Sequence, residues 1–233
     1  MGCDIHLFVE RKSGGEWRSV DEWAKVDEEH SFPEVVYEKQ FYNGRNYRLF
    51  GVLANVRNGH GFAGVKTGEP VKPIDMPRGL PSNVSHPVKA CAAAWDCDGH
   101  SHSWFELPEL LAYDWTQIMD ICGYLSLEQY FEWNGYNRER GHNPEGWSGD
   151  ISGMNVRKIS NQEMEKIIEE FKINGHRLDQ EKLKQTVLRY YTFCEWQQPY
   201  YRMCSEFLGE TLPKLFRVDP DFSKTRIVFW FDN

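Results

Sequence analysis

The chain has 233 residues, a length suited to one domain or one domain with a lobe, and 40% of them are hydrophobic, enough for a core and too many for wholesale disorder. Thirty-five acidic against 27 basic residues leave a net charge of -8, which on average repels polyanions and argues against general nucleic-acid binding, though a locally basic pocket can still take a small phosphorylated ligand. No run approaches the roughly 20 apolar residues of a membrane span, Asp4 precedes any apolar run where a signal peptide would be basic, and six cysteines without a C-x-x-C pair read as free thiols, so the expected location is the cytoplasm.

Residues 4–10 alternate, with Ile5, Leu7 and Val9 on one side and Asp4, His6, Phe8 and Glu10 on the other, which is the period of a strand. Lys12-Ser13-Gly14-Gly15 is a turn, and Glu16 to Val20 a return strand, so the chain opens with a β-hairpin. Tyr47, Phe50, Leu53 and Ala54 share one face of a helix over 46–56 that stops near Asn58-Gly59. Glycines and prolines crowd 59–81, a loop long enough to suggest an ordered cover over a site. Ser85 and Pro87 start a helix reaching Trp95, Asp96 to Ser103 reads as a polar turn, and Leu107–Ala112 and 126–131 as short helices. Ser160 with Glu163 forms a capping box ahead of Met164, Ile167, Ile168 and Phe171. Asp179 caps a second long helix bearing Leu183, Val187, Tyr190, Tyr191 and Cys194, and a further helical piece follows near 200–208. Arg226 to Phe231 is an apolar strand that must be buried in a sheet, centrally and beside the opening hairpin.

The fold class predicted is α+β, a single domain over 1–233. A mixed or antiparallel sheet holds the N-terminal hairpin and the C-terminal strand, packed with several helices and long Gly/Pro-rich loops. Residues 160–210 are expected to be mainly helical.

Two polar clusters carry the chemistry. Asp4 and His6 stand on one strand face with roots about 7 Å apart, close enough to converge on one cation; the competing reading is a polar surface pair. The second cluster, Asp96-Cys97-Asp98-Gly99-His100-Ser101-His102-Ser103-Trp104, offers oxygen and nitrogen ligands around a glycine; the competing reading is a turn capped by its own side chains. If 100–104 is extended, His100, His102 and Trp104 face together. The two clusters are expected to meet, with heads within about 6 Å, sharing one divalent metal ion, Zn or Mn. Asp4, His6, Asp98 and His100 are then the metal ligands, and His102 and Glu10 the proton-handling catalytic residues. His60, between two glycines, Arg57 and Trp104 are the candidate ligand-binding residues. His30, His142 and His176 read as ordinary surface or loop positions. No H-E-x-x-H, Walker A loop or G-x-S-x-G elbow is present.

The opening Met-Gly-Cys-Asp-Ile-His with Glu10, the Tyr47–Arg57 segment YRLFGVLANVR, Gly79-Leu80-Pro81, Asp98 to Trp104 and Arg226-Ile227-Val228-Phe229 together resemble a family of uncharacterised proteins from bacteriophages and bacterial prophages. The resemblance spans most of the chain and implies a phage-encoded protein acting in the host cytoplasm. Three functions follow as expectations. The first is a metal-dependent hydrolase, a phosphoesterase acting on a small nucleotide-like substrate. The second is a protein that binds and sequesters a host nucleotide or signalling molecule without chemistry, with Arg45, Arg48, Arg57 and Lys66 available to phosphates. The third is an inhibitor of a host protein, working through its acidic surface.

Overall fold

The structure is a computed structural model that describes residues 2–24, 33–134, 143–175 and 177–232. His30, His142 and His176 lie outside them. In chain order the main elements are β1 (Asp4–Ser13), β2 (Glu16–Ser19), α1 (Tyr47–Ala54), α2 (His86–Ala94), β3 (His100–Glu106), α3 (Leu107–Ala112), β4 (Ile118–Ser126), α4 (Leu127–Glu132) and β5 (Val156–Ile159). They continue with α5 (Asn161–Phe171), β6 (Lys172–Ile173), β7 (Arg177–Leu178), α6 (Gln180–Gln185), β8 (Arg189–Pro199), α7 (Tyr200–Met203), α8 (Leu212–Leu215) and β9 (Thr225–Asp232). The class is α+β. Among the described residues no helix is long and apolar enough to cross a membrane.

Contacts gather the chain into two compact units: Met1–Asn58, Pro70–Gln117 and Tyr200–Asn233 form the first, and Gly59–Glu69 with Ile118–Pro199 the second. The first unit is built on an antiparallel sheet of order β2-β1-β9-β3. The opening hairpin and the terminal strand are therefore neighbours, with β9 central as its apolar run requires. One face carries Ile5, Leu7, Val9, Phe105, Ile227, Phe229 and Phe231 against α1 and α3. The other face carries Phe8, Val228 and Trp230 against Val88, Cys91 and Ala92 of α2. Both faces are covered along the middle of β1 and β9, so a charged side chain buried there needs a partner inside the protein.

One such pair is Glu10 with Arg226, direct cross-strand neighbours that are 0% and 2% exposed. Arg226 Nε donates to Glu10 Oε2 at 2.7 Å and Nη1 to Asn83 Oδ1 at 2.9 Å, while the Ser85 N–H donates to Glu10 Oε1 at 2.7 Å. The guanidinium also lies 4.1 Å from the Trp17 ring. The loop 70–81 is pinned to the same unit: Ile74 N–H donates to the Val52 carbonyl at 2.7 Å, and Gly79 N–H to that of His102 at 2.8 Å. It thereby covers part of the free edge of β3.

The second unit holds a sheet of order β4-β8-β5, with β5 parallel to β8, and the two-stranded β6-β7 ribbon. Its buried residues include Met119, Ile121, Leu125, Tyr130, Trp133, Met164, Ile168 and Trp196. The long helix expected from Asp179 is corrected here. Asp179 does cap a helix, accepting from the N–H groups of Glu181 and Lys182, but α6 ends at Gln185 and residues 189–199 are strand. Helix still takes the larger share of the described part of 160–210, but β8, the longest strand among the described residues, runs through it. The strand wins because it has a partner on each side, β4 and β5, whose ladders satisfy its backbone groups.

Candidate functional site

His6 is the best-placed chemical group of the first unit. β1 and β9 are antiparallel with His6 opposite Trp230 and Asp4 opposite Asp232, so the Asp232 side chain sits diagonally across from His6 on the same face. His6 Nε2 lies 3.1 Å from Asp232 Oδ2, and Asp232 Oδ1 accepts the Asp4 N–H at 3.1 Å. The carboxylate fixes the imidazole and, through its second oxygen, the strand end. The His6 ring packs 4.1 Å from Trp95 and 5.8 Å from Trp230, centroid to centroid. Beside it opens a cavity of about 140 Å³, lined by His6, Phe8, Glu34, Gln40, Cys91 and Trp95. Its side chains are a fixed imidazole, one carboxylate, one amide and an apolar floor.

The expected four-donor metal set does not assemble. Asp4 is gripped by Arg45, whose Nε and Nη2 donate at 2.7 and 2.5 Å, and this hydrogen bonding holds its carboxyl below the usual carboxylate range. His6 is engaged by Asp232. Asp98 is exposed on the turn after α2, its N–H bonded to the Trp95 carbonyl at 2.9 Å. His100 is on the other face of the sheet. The cause is a bulge in β3: His100 pairs with Phe231 and Ser103 with Phe229, three steps against two, with Ser101 at φ 54°. The extra residue turns His100 toward Phe231, 6.1 Å away, and leaves His102 and Trp104 on the Trp230 face. The expectation that His100, His102 and Trp104 face together fails for that reason. Among the described residues no group of three or more His, Cys, Asp or Glu side chains is placed to hold a metal ion.

His6 and His102 do share a face, but not a cation. β9 lies between β1 and β3, so the strands stand two spacings apart, about 10 Å. Trp230 fills the interval, its ring 5.8 Å from His6 and 5.4 Å from His102. Gly99 backs onto the same rings: a Cβ there would come within 3.0 Å of Trp95 Cβ and 3.5 Å of both His102 Cε1 and Trp230 Cδ1. Burial, and secondarily His100, pushes the His102 imidazole below its usual range, so it stays neutral near pH 7.

The remaining candidates are dispersed. Glu10 has both oxygens committed in the buried pair with Arg226 and lies four residues, about 13 Å, along β1 from His6, which corrects its assignment as a proton carrier. Arg57, at φ 51°, reaches over the Tyr47 ring, and its charge partly offsets the rise that burial gives the Cys3 thiol pKa. Trp104 is half-buried with the Arg78 guanidinium 5.2 Å from its ring. His60 belongs to the second unit, exposed in a bridge to Lys66. Sequence reasoning missed Asp232 and Trp230. A signal existed for the first: Asp232 follows the terminal strand two residues after Trp230, and antiparallel pairing with β1 puts that position opposite Asp4.

The Asp4–Arg45 pair is half-exposed at 46% and 55%, so its contribution is small. Asp4→Asn is expected to move the thermal midpoint by less than about 4 °C, as differential scanning calorimetry would read. A larger drop would mean that Asp4 has a role its exposure does not suggest.

Comparison of the chain with protein-family models, with curated proteins and with solved structures finds no match.

Proposed function

We propose that the chain binds a small nitrogen heterocycle, of the nucleobase class, at the His6 cavity and holds it without covalent chemistry. The observation that carries the reading is the cavity itself, walled by an imidazole that Asp232 and Trp95 fix in place. Its volume of about 140 Å³ matches one planar ring system, since an engineered cavity of about 150 Å³ admits benzene. The Glu34 carboxylate and Gln40 amide offer an acceptor and a mixed edge, which suits a ring bearing N–H groups. The acidic wall disfavours a phosphate inside the cavity, so any phosphate of a nucleotide would project out of it. With the resemblance to phage proteins, the reading becomes sequestration of a host nucleotide or signalling molecule.

Titration calorimetry against nucleobases, nucleosides and nucleotides tests it. At least one ring ligand is expected to bind and to be recovered intact, His6→Ala to weaken it about tenfold or more, and His60→Ala to change nothing. If no ring ligand binds, or if His6→Ala is silent, the reading is lost.

A second reading keeps hydrolysis. An imidazole hydrogen-bonded to a carboxylate is the arrangement of a general base, and His6 with Asp232 supplies it. Product appearing in the same titrations, and abolished by His6→Ala, would favour it. Metal analysis of the purified protein before and after chelation tests its metal-dependent form, through donors other than the four named from the sequence.

A further inference from the structure

The second unit contains a cleft that none of the preceding readings uses. It measures about 450 Å³, within the range of roughly 300–1,000 Å³ typical of small-molecule sites. Its lining includes Ser148, Gln180, Lys184, Arg189, Tyr190 and Tyr191. Two cations face one acid of the lining, Glu128, so the cleft is locally basic in a chain of net charge -8.

The cations are available. Among the described residues Lys184 pairs only with Glu181, at 3.5 Å with both side chains more than 70% exposed, a contact of little strength. The side chains of Arg189, Tyr190 and Tyr191 carry no hydrogen bond or ion pair among the described residues. Their backbone is nevertheless rigid. The Arg189 N–H donates to the Asn155 carbonyl at 2.8 Å, and 189–191 pair with 156–158 of β5. Arg189 and the two tyrosines stand on a fixed strand and Lys184 on α6, with donors open to a ligand. Ordering costs are already met by the sheet, so a ligand gains most of each contact.

We propose that this cleft binds a phosphomonoester carried on a ring. The phosphate sits between Lys184 and Arg189, the guanidinium offering its paired N–H donors to two phosphate oxygens. The ring lies against Tyr191, which shares a strand face with Arg189, and the Tyr191 hydroxyl, with Ser148 and Gln180, reaches the polar substituents. Two sources share this chemistry, a nucleoside monophosphate and a sugar phosphate.

The test titrates the full chain with AMP and with glucose 6-phosphate, and with adenosine and glucose as unphosphorylated partners. At least one phosphomonoester is expected to bind while its parent does not, AMP alone marking a nucleotide site and glucose 6-phosphate alone a sugar-phosphate site. Affinity should fall as salt rises. Arg189→Ala and Lys184→Ala are each expected to weaken binding about tenfold or more, with unchanged circular dichroism because both side chains are exposed. Lys158→Ala, in the same unit but outside the cleft, and His6→Ala should leave it as it is. The proposal is overturned if neither phosphomonoester binds, if both cation variants bind normally, or if His6→Ala abolishes binding, which would place the probe in the first unit.

Discussion

Glu10→Ala should cost the protein about 3–5 kcal/mol, read as a fall in the urea midpoint, because it strands a buried cation. Arg226 is 2% exposed, and water cannot replace the lost carboxylate. Burial already works against its charge, drawing its pKa below the ordinary value, with Glu10 opposing that shift. Arg226 would keep Asn83, which accepts from Nη1 through its side chain and from Nη2 through its carbonyl, the Trp17 face, and the weaker attraction of Glu106 opposite it on β3, but no carboxylate bonded to it. The N–H of Ser85 would also lose its acceptor at the start of α2. Replacing both partners, as Glu10→Leu with Arg226→Met, should recover much of the loss, since an apolar pair of similar volume leaves no charge to desolvate. A single variant costing under about 1 kcal/mol would show that solvent or another acid reaches Arg226, and the pair would be worth no more than a surface bridge.

The pair also bears on how the polar face of β1 reads. Asp4, His6 and Glu10 look alike in sequence, three polar residues on alternate positions. The fold gives them three different fates: a half-exposed contact with Arg45, an imidazole fixed by Asp232, and a sealed ion pair. What separates them is depth under α2 and the cross-strand residue each meets on β9, neither of which a local pattern contains. β1 and β9 themselves were legible because strict alternation and an uninterrupted apolar run describe buried strands directly.

β8 was not legible, for an identifiable reason. Its inward positions include Thr192 and Gln198, both 1% exposed, while Phe193 points outward at 43%. Hydropathy therefore does not alternate along the strand although burial does. Leu183, Val187, Tyr190, Tyr191 and Cys194 happen to fall at helical spacing. Thr192 is tolerated inside because its hydroxyl bonds Asn161 Oδ1, a contact 31 residues away that no window sees. The bulge of β3 is a similar case. His-Ser-His-Ser carries no hydrophobic signal for register, and only the pairing with β9 shows that an extra residue at Ser101 parts His100 from His102. The candidate metal site rested on that register and does not assemble without it, while His6, on a well-patterned strand, lies on the face that the alternation predicts.

Asp21→Asn should stabilise the protein at pH 7.5 and do progressively less as the pH falls. Asp21 follows β2 and is 8% exposed. Its Oδ2 accepts the Val9 N–H at 3.0 Å and the Ser19 hydroxyl at 2.7 Å, but its Oδ1 is buried without a partner among the described residues. Desolvation outweighs those two bonds and, with Glu10 nearby, pushes its pKa up to about 6. In the unfolded chain the same carboxyl releases its proton near pH ~3.9. Between those values the folded state binds more protons, so this group's contribution to stability is greatest below the unfolded pKa and is lost as pH rises through about 6. The whole loss is on the order of 3 kcal/mol. Asparagine cannot ionise, retains an acceptor for Val9, and places an uncharged amide where the stranded oxygen stands. Urea midpoints at pH 5 and pH 7.5 should therefore show the variant ahead of the parent at the higher pH and by a smaller margin at the lower. Equal differences at the two values would mean that Asp21 ionises no later in the fold than out of it. A variant weaker than the parent at pH 7.5 would mean that the charged carboxylate, through Val9 and Ser19, holds the hairpin more tightly than its burial penalises it.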